Sequence, residues 1–196
     1  MTDLLPLMTY CLVMSSTPGP NNVMLTASGA NFGYRGALPQ LFGISVGGFV
    51  QTWVMCMGLG QLFVRYPILR DGLRLAGTLY LLFLAWKLVG SSVAEMQSRK
   101  RVSFVEGLTF QMLNVKAWIK AVTLGSVFVP AGMDIASAAL LVSVLSTLIG
   151  FPSCSMWALF GVALRGWLKN PSILRLFNLA MAGALLMLAL SLLYES

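Results

Sequence analysis

The sequence contains no histidine, only six acidic residues and just three cysteines. Each scarcity excludes a chemistry. Cys11, Cys56 and Cys154 lie in separate apolar segments, and no Cys-x-x-Cys occurs. Zinc, haem and dithiol redox sites therefore lack their usual ligands, and neither a metal nor a cofactor is expected. The cysteines read as small buried apolar side chains. A membrane redox enzyme would need paired thiols, and a metal exporter would need histidines or more acids. An accessory membrane subunit without transport stays open as a rival class.

Charge is scarce as well. Charged residues make up 10% of the chain and hydrophobic ones 58%, whereas a soluble domain carries about 25% charged residues. Such a chain cannot cover a water-facing surface, so an all-α, polytopic integral membrane protein is expected. Its 196 residues accommodate about six helices of roughly 20–25 residues in a single transporter domain. The net charge of +7 does not indicate nucleic acid, because the basic residues fall in loops between apolar spans.

The spans are expected at 4–27, 38–64, 73–90, 104–129, 135–164 and 173–194, with loops at 31–36, 65–74, 91–103, 130–134 and 165–171. The first apolar run starts without a basic segment and reads as a membrane helix rather than a cleaved leader. One side collects Arg35, Lys87, Arg99, Lys100, Arg101, Arg165, Lys169 and Arg175. The terminal side holds Arg65, Arg70 and Arg74 with Asp3, Asp71, Asp134 and Glu195. The positive-inside rule then puts the termini in the periplasm of a bacterium. The segment YPILRDGLRLAG (66–77) echoes NPSILRLFNLAMAG (170–183). The echo suggests a three-plus-three inverted repeat with halves of about 1–98 and 99–196.

Span one contains SSTPGPNN, residues 15–22. Pro18 and Pro20 cannot donate to the carbonyls of Met14 and Ser16, and each pushes the residue before it out of helical geometry. The span should split into two half-helices, the second starting near Pro20. In lipid the freed backbone groups must face protein or a wet cavity. A half-helix start with Asn21 and Asn22 beside it suits a carboxylate.

Span four carries Lys116, 12 residues past Phe104 and about 18 Å along a helix. An intramembrane lysine is costly and marks a pathway or a partner; structural pairing with Glu106 is the alternative. On an unbroken helix Thr109, Met112, Lys120 and Thr123 share the Lys116 face. Asn114 points the other way with Gly107, Trp118, Ala121 and Gly125, a stripe that reads as a helix–helix interface. Asn114 and Lys116 can face one site only if the helix unwinds between them. Gly43 and Gly47 form a G-x-x-x-G that reads as tight helix packing. Trp86, Trp157 and Trp167 suit the interfacial belt. The polar run 153–155 after Pro152 interrupts span five and is a weaker candidate for the same cavity.

The motif Thr17-Pro18-Gly19-Pro20-Asn21-Asn22, with the glycines from Gly33 to Gly48 after it, resembles the first-half signature of the lysine exporter / homoserine-threonine resistance family. Asn114-Val115-Lys116 sits where that family usually carries Asn-Pro-Lys. Val115 replaces the proline, so a break in span four is left open. The Asn-Val-Lys form is similar to the branch of cysteine and O-acetylserine exporters. The resemblance covers nearly the whole chain and implies export of small amino acids or derivatives across the bacterial inner membrane, driven by protons. The expected substrate-binding set is Thr17, Pro18, Gly19, Pro20, Asn21, Asn22, Asn114 and Lys116. The substrate's ammonium is expected at the carbonyls near Met14 and Ser16. Lys116 and Glu106 are the candidates for proton coupling. Expected partners are the amino acid, protons, the lipid bilayer and a second copy of the chain as a homodimer.

Overall fold

The computed structural model describes residues 4–59, 65–89, 100–130 and 132–194. Asp3, Arg99, Glu195 and most of the expected 91–103 loop lie outside the described residues, as do the side chains of Arg70, Arg74 and Lys87. The described residues form seven α-helices and no strand: α1 (Leu5–Ser16), α2 (Pro20–Val54), α3 (Pro67–Val89), α4 (Phe104–Leu113), α5 (Val115–Val127), α6 (Ile135–Leu164) and α7 (Pro171–Tyr194). A π-turn, Met55–Leu59, extends α2, and a short 3-10 turn, Trp167–Lys169, precedes α7.

The Pro-Gly-Pro break is present. α1 stops at Ser16, Thr17 is extended at φ −69° and ψ 146°, and α2 begins on Pro20. Beyond it, the loop expected at 31–36 shrinks to a single residue. Gly33 adopts φ 72° and ψ 172°, a conformation open essentially to glycine alone. The chain reverses there, because the Ser28 hydroxyl donates to Gln40 Oε1 and Leu25 packs with Ala37, Leu41 and Ile44. A straight helix would hold Ser28 and Gln40 about 18 Å apart. Thus α2 is two antiparallel arms, 20–32 and 34–54.

A second break lies at Asn114, where the sequence left the matter open. Asn114 ends α4 and starts α5 with an extended backbone, φ −84° and ψ 103°. Its Oδ1 accepts from the Lys116 backbone N–H at 3.1 Å, so an asparagine cap makes the break that proline would otherwise enforce. Pro152, by contrast, does not interrupt α6, which runs unbroken through it.

Close backbone crossings hold these helices together. A Cβ on Gly29 would meet the Ala158 carbonyl, and one on Gly161 would meet the Thr26 carbonyl, so the first arm of α2 lies directly on α6. Gly43 faces the Phe104 carbonyl and Gly107 faces Gln40, which seats the second arm of α2 on α4. The G-x-x-x-G reading therefore holds at Gly43, while Gly47 abuts the Gln111 side chain. α3 packs along α7.

Polarity is inverted relative to a water-soluble protein. Thr26, Gln40 and Ser143 are fully buried, whereas Val105, Leu148, Met156 and Leu176 are about two-thirds exposed. Exposed apolar surface on this scale marks a lipid-facing exterior. The unbroken helix Ile135–Leu164 is long and apolar enough to cross a bilayer, with a mean hydropathy of 2.0. Trp86 and Trp167 face outward at 74% and 67% exposure. Trp157 departs from the expected belt, being half-buried with its indole N–H donating to the Ser16 carbonyl at 3.2 Å.

Candidate functional site

The two breaks meet. Between them lies a cavity of about 90 Å³, several times the space of about 10–15 Å³ that one water needs. Gly19, Asn21 and Asn22 from the start of α2 line it, as do Asn114, Lys116 and Ala117 from the start of α5. Both helices thus present N-terminal ends, which carry partial positive charge. Lys120 lines it one turn further along α5. Among the described residues no carboxylate lines the cavity. Its remaining polar wall is Ser15, Ser45, Thr52, Gln111, Ser146, Thr147 and Cys154.

Break one is satisfied from within. The Lys116 ammonium donates to the Thr17 carbonyl at 2.9 Å, to Thr17 Oγ1 at 2.7 Å and to the Pro18 carbonyl at 3.1 Å. Asn22 Nδ2 donates to the Ser15 carbonyl at 2.9 Å and the Thr17 carbonyl at 2.8 Å. Thr17 Oγ1 reaches back to the Met14 carbonyl at 3.3 Å. Trp157 serves the Ser16 carbonyl, so every carbonyl from residue 14 to 18 accepts from a side chain. The carbonyls of Met14 and Ser16, expected to be open for a substrate's ammonium, already have donors.

Unwinding at Asn114 brings Asn114 and Lys116 to one cavity, which an unbroken helix forbids. The same break brings in Gln111, which the sequence reading passed over. Buried Gln111 accepts from Asn21 Nδ2, donates to Gln51 Oε1 at 2.8 Å and accepts Gln51 Nε2 on its carbonyl at 3.2 Å. Its spacing of three residues from Asn114 was the available signal. Among the described residues Lys120 Nζ has a single hydrogen-bond partner, Ser15 Oγ at 3.1 Å.

Other expected residues fall elsewhere. Pro20 is buried as the first residue of α2, and Thr17 and Pro18 touch the cavity through Lys116. Glu106 sits in the first turn of α4, exposed, accepting from the Ser103 N–H at 2.7 Å in a capping box. It neither lines the cavity nor pairs with Lys116. Of residues 153–155, only Cys154 lines the cavity, its Sγ lying 3.7 Å from Asn22 Oδ1. Cys11 and Cys56 are buried in one apolar cluster with Leu7 and Leu124. Among the described residues no cluster of potential metal ligands occurs.

Comparison with known proteins points the same way. Residues 12–196 match the LysE type translocator family. The cysteine/O-acetylserine efflux protein of Escherichia coli strain K12 is 36% identical over 156 residues, covering 78% of this chain and 79% of that protein. The protein of the same name from Salmonella typhimurium strain LT2 is 34% identical over 155 residues, with the same coverage. No solved structure matches the chain. The match spans both helix breaks and the cavity between them, and the chain belongs to the LysE type translocator family, whose members are transporters rather than enzymes.

Proposed function

We propose that the protein exports a small amino acid or derivative across the bacterial inner membrane by proton antiport. The carrying observation is a cavity between two helix breaks that is lined by two lysines and, among the described residues, by no carboxylate. Such a site recognises an anion, and the two helix starts reinforce the preference. A substrate carboxylate would lie between Lys120 and the α2 start at Gly19 and Asn21, with Asn114 beside it. The relatives' names, cysteine/O-acetylserine efflux protein, support a substrate of that size.

The proposed architecture is six spans in a three-plus-three inverted repeat with periplasmic termini. Its support is the order of elements. A broken helix, a long helix and a closing helix occur first as α1 with the first arm of α2, the second arm of α2, and α3. They occur again as α4 with α5, α6, and α7. Alternating access would then rock one half against the other around the breaks. Of the two coupling candidates, Lys116 lines the cavity and Glu106 does not, so proton coupling is assigned to Lys116. Replacement by arginine, which keeps the charge permanently, separates charge from proton carriage.

Reconstituted vesicles loaded with a panel of amino acids, under an imposed pH gradient, test this reading. Export of small zwitterions that responds to the gradient and disappears in Asn21→Ala is expected. A correctly inserted protein that moves no amino acid would refute it.

A further inference from the structure

The two cavity lysines are held differently. Lys116 has three acceptors, Thr17 O, Thr17 Oγ1 and Pro18 O, all within 3.1 Å, one for each donor of an ammonium group. Lys120 has, among the described residues, Ser15 Oγ alone. We propose that the oxygen cage of Thr17 and Pro18 is a primary-ammonium subsite that Lys116 fills in the substrate-free protein, and that the substrate's α-ammonium takes its place. The proposal rests on the export reading and assigns the substrate's two ends to separate subsites.

The chemistry of the wall requires such a subsite. A zwitterion brings an ammonium into a cavity that no carboxylate lines among the described residues, so that group needs neutral oxygens as acceptors. The Thr17 and Pro18 oxygens, in the extended link between α1 and α2, supply them, and they already surround one ammonium. Lys120 keeps N–H groups free to meet the carboxylate. Displaced from the cage, the Lys116 side chain swings toward Lys120 and that carboxylate.

The local build allows the exchange. Lys116 is the second residue of α5, beside the Asn114 break. Its stem passes over Gly19, where a Cβ would stand 3.1 Å from Cδ and 3.4 Å from Nζ. Absence of that Cβ leaves the stem a path along which to retract. A selectivity rule results. A zwitterion compensates Lys116 for leaving by offering a carboxylate. A simple amine offers nothing, so Lys116 excludes it.

Thermal unfolding of the purified full chain in lipid nanodiscs reads this out, with ethylammonium, tetramethylammonium and a panel of zwitterionic amino acids as probes. Ligand that binds only the folded state raises Tm saturably. Wild type should respond to a zwitterion but not to ethylammonium. Lys116→Ala should show a saturable rise in Tm with ethylammonium, at concentrations that leave wild type unshifted. Tetramethylammonium, which has no N–H, should do nothing in either, and Thr17→Val added to Lys116→Ala should weaken the amine response. An equal response of wild type and Lys116→Ala to ethylammonium, or none in Lys116→Ala, overturns the subsite. If Lys116→Ala does not fold, the wild-type arm decides alone, since a saturable ethylammonium response there overturns the exclusion. Export of amino acids without an amine response in Lys116→Ala refutes the subsite and spares the export reading. An amine response in Lys116→Ala in a protein that exports no amino acid supports the subsite and refutes the export reading.

Discussion

Gln111 ties the two halves of the cavity wall together. It bonds to Asn21 at the start of α2 and twice to Gln51 in the second arm of α2. Gln111→Leu would leave Asn21 Nδ2 and Gln51 Oε1 buried without those partners. A buried polar group stripped of its partner costs about 1–3 kcal/mol, so a fall in Tm of the purified variant is expected, with weaker substrate binding. An unchanged Tm would mean that the Gln111 network carries no stability. Cysteine chemistry belongs to this scale too. Cys11 and Cys56 lie in apolar packing and Cys154 lines the cavity. Replacing all three with alanine should leave export in reconstituted vesicles intact, and its loss would revive a thiol mechanism.

At the scale of elements, the two breaks are built by different means. Pro18 and Pro20 break span one by withholding donors, a local effect that anyone reading the sequence can see. Asn114 breaks span four by capping α5 through its side chain. An asparagine inside an apolar helix can point outward or cap, and only the surrounding packing decides, so that break was not legible. Position 115 is the first residue of α5, where proline is well tolerated. Val115→Pro should therefore preserve fold and export, with a loss of no more than about 1.5 kcal/mol from altered packing against Gly77. Abolished folding would show that α5 needs the Val115 N–H. The crossing of α2 on α6 is less forgiving. Gly161→Ala pushes a methyl into the Thr26 carbonyl, and overpacking of this kind costs about 1–3 kcal/mol. Tm of that variant should drop, whereas Gly166→Ala, with open space around it, should not change it. The reversal between spans one and two was expected at 31–36, but its contraction to Gly33 alone was hidden, since reversal within one residue depends on Ser28 and Leu25 finding partners across the turn. The run Ser103-Phe104-Val105-Glu106 carries the capping-box pattern, which the sequence reading passed over in weighing Glu106 for ion pairing and proton coupling; in the structure it caps α4.

For the whole molecule, composition decided the solvent. A chain with 10% charged residues folds with glutamines, threonines and serines buried beside its apolar core and with many large apolar side chains exposed. The cavity exists because both helix starts, α2 at Pro20 and α5 at Val115, open toward the same interior point. The proposed periplasmic termini rest on charges that include Arg99, Asp3 and Glu195. Cysteines placed singly at exposed Lys169 and exposed Met133, in a background without the native three, report on orientation. Impermeant maleimide added outside intact cells should label position 133 and not 169; the reverse would invert the topology.

Equilibrium binding of an exported amino acid to the purified protein tests the central claim, that the cavity between the breaks is the substrate site. Lys120→Gln should weaken binding at least about tenfold, because a hydrogen bond to a charged group contributes about 1.5–3 kcal/mol. Trp86→Ala, on the outward face of α3, should bind as wild type does. Wild-type affinity in Lys120→Gln would contradict the account and move the substrate elsewhere.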